Sequence, residues 1–372
     1  MKHCTSKKPK LYCGIDLHTK KSYIYIINEQ GTKVKSKEID TEEQTFITFF
    51  ESLIEENEIY SAIEISSLTF QYCNILKAIG ISVYVVNTLK NAYISKSMKK
   101  TDKEDAKRLA ISLWKEILPE PVYIPSEKEH SLRKLISHRA DLVKSRTRLI
   151  NRIRQRLREK EIKIPLRTLN KTKKIEPVLK SISSETQPIL HFEISHMFEQ
   201  FKLLEKQIEQ TEQLIHSQIN KDADFKEMYN LLLTVPGMGK ITSAAFISRV
   251  GKNIERFKNV RKLISYFGQC PKIRESGGKT IGNQGITKQG NGMLRGYLSQ
   301  VAIAALRSKS YNSIPLKKWY ENIKRRKGWK KARVALSRKI AAICYGVLIH
   351  KRPYNPMLVT GENKCEKPLI TT

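Results

Sequence analysis

The chain of 372 residues sets 69 lysines and arginines against 36 aspartates and glutamates, a formal net charge of +33 with a pI near 9.9. A balance that lopsided repels itself in a compact fold unless a polyanion accompanies it, and nucleic acid is the polyanion whose phosphates supply most sequence-independent affinity. A membrane span is excluded because no run reaches ~18 consecutive apolar residues, and the basic N-terminus lacks the apolar core of a signal peptide.

Cys4, Cys13, Cys73, Cys270, Cys344 and Cys365 are scattered with no CxxC pair, which suits reduced thiols in a cytosol better than disulfides or zinc. At roughly 100–200 residues per domain, two or three domains are expected. The pattern divides them as an α/β unit over 1–118, a helical arm over 119–222, a mainly helical domain over 223–352 and a loose tail over 353–372.

The first segment alternates strands with helices. LYCGIDL is a short apolar strand ending on Asp16, and KSYIYIIN alternates with Tyr23, Tyr25 and Ile27 on one face and Ile24 and Ile26 on the other. Phe46, Phe49, Phe50, Leu53 and Ile54 recur at helical spacing. YSAIEI places Glu64 near the end of another apolar run, a helix from Phe70 to Ile79 closes at Gly80, and ISVYVV is a further strand. Thr101 or Asp102 then caps a helix running through Leu113, whose first turn puts Asp102 and Asp105 on one face.

Asp16, Glu64, Asp102 and Asp105 are therefore expected at one edge of a mixed sheet. Four hard oxygen ligands suit Mg²⁺ or Mn²⁺ rather than zinc. Two such ions about 3.5–4 Å apart stabilise the attacking and leaving oxygens of a phosphoryl displacement. The plainer reading of each residue is a helix cap for Asp102 and an ordinary strand-edge acid for Glu64. His18, so close to Asp16, reads as structural.

Pro119, Pro121 and Pro125 mark a linker before the most strongly helical stretch, 127–160. Leu135-Ile136, Leu142-Val143 and Leu149-Ile150 recur every seven residues, the repeat of helix-on-helix packing in a coiled coil or hairpin. The opposite face carries Arg139, Lys144, Arg146, Arg148, Arg152, Arg154, Arg156 and Arg158 with few local carboxylates, and reads as a phosphate-tracking surface. A second long helix over about 186–219 completes an antiparallel arm.

Further on, Leu231 to Ala245 reads as helix, Pro-Gly-x-Gly turn and helix, the helix-hairpin-helix pattern. Gly237 and Gly239 allow the turn there, and amides near Lys240 can hold a phosphate. A glycine-rich turn also serves pure packing. Cys270 to Asn291 is a glycine-rich cationic loop holding Arg274, Ser276, Gly277, Gly278, Lys279 and Lys288, before a helix whose first turns include Arg295. Serine is a poor nucleophile near neutral pH and needs a base, a metal or cationic stabilisation, which Arg274, Lys279 and Lys288 could supply. Taken alone, Ser276 reads as an ordinary loop serine. Trp319, Trp329 and a basic helix from Lys324 to Lys339 add another nucleic-acid surface.

With these residues in view, the chain resembles the DEDD transposases of bacterial insertion sequences of the "one-ten" family and the related Piv-type DNA invertases. The matching pieces are Gly14-Ile15-Asp16-Leu17-His18, Ala62-Ile63-Glu64, Val85-Val86-Asn87 and the run from Lys100 to Ala106 at the front. At the back they are Val235 to Gly239, Ser276 to Lys279, Ile286 to Gly290 and Leu294-Arg295. The resemblance implies a RuvC-like, RNase H-type N-terminal domain binding Mg²⁺ at Asp16, Glu64, Asp102 and Asp105, and a C-terminal domain with the family's serine at Ser276.

It further implies attack by that serine on donor and target double-stranded DNA, a dimer or tetramer whose subunits share a working site, and a structured bridge RNA as guide. The chain departs from the family pattern at Ile65-Ser66-Ser67 after Glu64, at Thr88 after Asn87, and at Glu275 beside Ser276. Two other readings stand beside this one: a structure-selective DNA endonuclease using only the acidic centre, and a non-catalytic nucleic-acid-binding protein.

Overall fold

The computed structural model describes residues 8–87, 101–162, 176–178, 180, 182, 187–272, 275–276, 279–280 and 285–360, with the backbone alone at 275–276, 279–280 and 360. It divides into two compact units, Met1–Pro125 and Ser126–Thr372.

The first unit is built on a five-stranded sheet in the order β3-β2-β1-β4-β5, formed by β1 (Lys10–Asp16), β2 (Lys21–Ile27), β3 (Lys33–Asp40), β4 (Glu58–Glu64) and β5 (Ser82–Val86). β1 runs antiparallel to β2 and parallel to β4. Strand alternation sorts the side chains cleanly. Leu11, Cys13, Ile15, Ile24, Ile26, Ile59 and Ile63 face α1 (Glu43–Glu56) and α2 (Thr69–Ala78), where Phe46, Phe50 and Leu76 are fully buried. Each such aromatic contributes roughly 1.5–3 kcal/mol by leaving water. Tyr25 and Ile27 take the opposite face, as their alternation in the sequence predicts, and pack on Ala106 and Ala110 of α3 (Asp102–Trp114).

α3 lies closely on β1 because Gly14 has no side chain. A Cβ there would stand 1.9 Å from the Ala106 carbonyl oxygen and 2.5 Å from the Ala110 nitrogen. Asp16 is two residues from Gly14 and so shares its face. Ile15 registers with Ile63, which puts Asp16 and Glu64 at the same end of neighbouring parallel strands. The acidic first turn of α3 meets this end of the sheet.

The second unit opens with α4 (Glu127–Glu159), which Ser126 and Glu129 start with a reciprocal capping box. It packs along α5 (Pro188–Asn220) through Leu149, Ile150, Ile153, Leu157, Leu190, Ile194, Phe198 and Phe201. At the other end of this pair Leu132, Ile136, Ile215 and Ile219 join a larger core. That core is supplied by α6 (Ala223–Leu233), α7 (Lys240–Val250), α8 (Val260–Tyr266), α9 (Gly292–Arg307), α10 (Ile314–Lys327) and α11 (Trp329–Ile349).

Two stretches differ from the sequence expectation. The glycine-rich loop contains a small antiparallel ribbon, Glu275–Ser276 against Lys279–Thr280, with Pro271 bridged to Ile286. Backbone bonds from Lys272 to Gly285 and from Thr287 to Cys270, at 2.9 and 2.8 Å, close its base. The expected tail does not begin at 353. Tyr354 is buried in the core, its amide donates to Thr234 Oγ1 at 2.9 Å, its hydroxyl donates to the Asn312 carbonyl at 3.2 Å, and a short helix follows at Met357–Thr360.

Candidate active site

Two of the four expected carboxylates, Asp16 and Asp102, converge with His18 at the sheet end. Asp16 closes β1, and Asp102 and Asp105 lie in the first turn of α3, whose N-cap is Thr101: its hydroxyl accepts the Glu104 amide at 3.3 Å. Asp102 is thereby released from capping. Acids in a first helical turn also answer the helix dipole, so their presence alone carries no chemistry. The observation that goes further is proximity. Ligand atoms of Asp16, His18 and Asp102 all lie within 4.8 Å of one another. His18 Nε2 stands 3.3 Å from Asp16 Oδ2 and 3.7 Å from Asp102 Oδ1.

Partial burial pushes the Asp16 carboxyl above the usual carboxylate range. His18 pulls against this, while the neighbouring charges of Asp102 and Asp105 push further up. Two donor types are then within reach of one point, half-buried Asp16 and the exposed pair His18 and Asp102. Oxygen donors with one imidazole fit a divalent cation, because a cation there offsets the repulsion among the carboxylates. Asp105 is 3.3 Å from Arg108 and is not in the trio; nor is Glu64, whose strand end is held by Thr69 Oγ1 donating to the Glu64 carbonyl at 3.2 Å.

Two residues were missed in the sequence. His18 is a bridge between Asp16 and Asp102, although a lone histidine after a strand reads as structural. Gly14 brings α3 down onto β1, and the signal for it was a glycine inside an apolar strand, which marks close backbone approach.

The second group of expected residues is distributed unevenly. Ser276 and Lys279 pair across the ribbon, with Gly277 and Gly278 between them in sequence; these two and Arg274 lie outside the described residues. Lys288 is exposed, and its amide donates to the Gly268 carbonyl at 3.0 Å. Arg295 clamps the base of the ribbon, donating to the Phe267 and Gly290 carbonyls at 3.2 and 3.1 Å.

Gly237, at φ +85°, seats against α9, where a Cβ would stand 2.4 Å from the Val301 carbonyl oxygen, so close packing accounts for this glycine. The Gly239 amide donates to Thr242 Oγ1 at 2.8 Å, and Lys240 beside it is exposed. On α4, Arg139 meets Glu212 at 2.6 Å, Arg146 meets Glu205 at 3.2 Å and Arg156 meets Glu159 and Glu193 at 3.1 and 3.5 Å, whereas Arg152 is exposed. The expected phosphate-tracking face is thus partly neutralised by carboxylates of α5, which the sequence of α4 cannot display.

An α/β unit with an acid-rich sheet end, carried in a strongly cationic chain, fits the class of enzymes that act on nucleic-acid phosphates. A transposase profile matches residues 13–161, and a profile described as transposase IS116/IS110/IS902 family matches residues 229–316. The chain is 27% identical to the transposase of insertion element IS1111A of Coxiella burnetii over 61% of each chain. It is 24% identical to the 44.8 kDa protein of insertion element IS116 of Streptomyces clavuligerus over 95% of this chain and 98% of that one. It is 26% identical to the pilin gene-inverting protein of Moraxella bovis over 73% of this chain and 74% of that one. The chain belongs to the IS110-type transposases, a family of DNA-cleaving and rejoining enzymes.

Proposed function

We propose that this protein moves its own DNA element, cutting and rejoining double-stranded donor and target DNA through Ser276 with a divalent ion, Mg²⁺ or Mn²⁺, at the acidic sheet end. The convergence of Asp16, His18 and Asp102 within 4.8 Å carries the reading. Asp16 and Asp102 would hold the ion, with His18, Glu64 and Asp105 as the further donors beside them. A bound divalent ion supplies charge neutralisation at the attacked phosphate and at the leaving oxygen.

The chain's own part follows from ordinary phosphoryl chemistry. The Ser276 hydroxyl gives up its proton and bonds to phosphorus, the bond to a deoxyribose oxygen breaks, and that oxygen takes a proton. Reversal with a different strand end rejoins the DNA and frees the serine. The five-strand order with β1 parallel to β4 and antiparallel to β2 supports the RNase H-type, RuvC-like reading of the first unit. The turn between α6 and α7 is consistent with a helix-hairpin-helix, and α4 with α5 with an arm serving subunit assembly. A net charge of +33 fits nucleic acid as the partner; the family resemblance adds a bridge RNA beside the DNA and a dimer or tetramer in the cytoplasm. The similarity to a pilin gene-inverting protein extends the proposal to site-specific inversion as a related outcome.

The test is a search for covalent protein–DNA adducts in cells carrying the protein with its flanking DNA. Adducts are expected in the wild type and in neither Ser276→Ala nor Asp102→Ala. Cut DNA without adduct, unchanged by Ser276→Ala, would instead establish a nuclease that uses only the acidic centre. Nucleic-acid binding with neither cutting nor Mg²⁺ or Mn²⁺ uptake by calorimetry would make the protein a non-catalytic binder.

A further inference from the structure

The chain passes from α10 to α11 through Gly328, at φ +78°. A Cβ at Gly328 would meet nothing within 4 Å, so the glycine is required by the backbone conformation and not by crowding. The single basic helix expected over Lys324–Lys339 is therefore two helices meeting at a corner. Lys324, Arg325, Arg326, Lys327, Lys330 and Lys331 are all exposed there, and the stretch from Lys324 to Lys331 contains no acidic residue. Glu321, one turn back, pairs with Lys324 at 3.1 Å.

The two sides of the corner differ electrostatically. Cations in the last turn of α10 suit the negative end of that helix dipole. Lys330 and Lys331 sit at the positive end of α11, whose first turn holds no acid and no side-chain cap. That placement costs stability in the isolated protein and favours an anion.

Trp329 stands in the middle of these charges and is 53% exposed. The Lys330 ammonium and the Arg333 guanidinium lie 5.7 and 5.5 Å from its ring centre. By contrast, Tyr320 of α10 is buried and Trp319 packs against the same core. An indole left in water among phosphate-seeking cations offers a flat face for a base, with cation–π contacts holding the ring in place.

We infer that this corner binds nucleic acid at an unpaired base, which stacks on Trp329 while the adjoining phosphates lie on the Lys324–Lys331 cations. This rests on nucleic acid being the protein's partner and adds the form it takes here: a single strand, bulge or opened junction in place of closed duplex. An anionic membrane is the poorer fit, because insertion needs an apolar helix face and α10 has turned Leu316 and Tyr320 into the core.

The full-length protein is titrated with a fluorescent single-stranded DNA, an RNA of the same sequence, a blunt duplex of the same length, and vesicles of anionic lipid. Trp329→Ala is expected to weaken single-strand binding roughly 5- to 150-fold and to leave duplex affinity unchanged, with Trp329→Phe retaining most of the affinity. Lys330→Gln with Lys331→Gln is expected to weaken both and to lower the salt slope by about one per lysine that contacts phosphate. The DNA and RNA arms say which strand is preferred.

Equal loss on single strand and duplex, no loss on either, or Trp329-dependent capture of vesicles alone would each overturn the inference. Absence of all nucleic-acid binding by the wild type would overturn the parent reading as well. An unchanged melting temperature for Trp329→Ala establishes that the effect is not misfolding.

Discussion

Asp16 and Asp222 are both withdrawn from water, with side chains 20% and 6% exposed, and their surroundings move them in opposite directions. Asp16 shares its end of the sheet with Asp102 and Asp105, and burial together with those charges holds its carboxyl above the usual range. Asp222 caps α6 in the second unit, its carboxylate accepting the Phe225 amide. Burial alone would raise it too, but hydrogen bonds from Lys252 and Lys128, each below 3 Å, and from that amide outweigh burial and hold it down at about 2. One aspartate belongs to a place where charges are satisfied for stability. The other belongs to a place where like charges are kept together at a cost, which is how a cation-binding or catalytic site differs from a structural one.

The like-charge cluster depends on α3 lying on Gly14, so the most disruptive change is there. Gly14→Ala forces backbone apart at Ala106 and Ala110 and is expected to destabilise the first unit by about 3 kcal/mol or more, with loss of any Mg²⁺-induced rise in melting temperature. A variant melting like the wild type would break the link between the glycine and the cluster.

Asp222→Ala removes a helix cap, takes the carboxylate from Lys128 and leaves Lys252 with Asp224 alone, an expected loss of roughly 2 kcal/mol in denaturant titration. The pH dependence has a definite sign. A carboxyl whose folded pKa lies below its unfolded one contributes stability that is complete above the unfolded value and disappears as pH falls through the folded value. The Asp222 contribution is thus present at neutral pH and lost between about pH 4 and pH 2. Asp222→Asn should flatten that part of the acid-denaturation curve, and a curve of unchanged shape would count against the ion pairs.

Asp16→Asn is the smallest effect and the sharpest contrast. Removing a carboxylate from among like charges is expected to raise the melting temperature slightly without added metal. With Mg²⁺ added, the wild type is expected to gain a further rise through binding to the folded state, and the same variant is expected to lose it. If Asp16→Asn lowered stability as Asp222→Ala does, the two sites would not differ in kind.

The cationic arm teaches a related lesson. Arg139 and Glu212 are 73 positions apart and Arg146 and Glu205 are 59 apart, yet each pair is joined across the α4–α5 seam. Such partly exposed pairs contribute about 1 kcal/mol or less apiece. The buried Ile153, Leu157, Ile194, Phe198 and Phe201 hold the helices together, and the ion pairs settle which arginines remain for phosphate.

The sequence by itself determined the α/β character of the first unit, the sorting of Tyr23, Tyr25 and Ile27 from Ile24 and Ile26, the helix that opens at Asp102, and the long helix that opens at Glu127. These are local properties: strand and helix periods place a side chain on a face, and capping residues mark where a helix starts. Only the tertiary structure decided that His18 stands between Asp16 and Asp102, that Gly14 and Gly237 are points of backbone contact, and that α4 arginines find carboxylates on α5. Each of these depends on which face meets which across a long sequence separation, and that choice is made by packing in the folded chain, where the pattern of a single element carries no record of its partner.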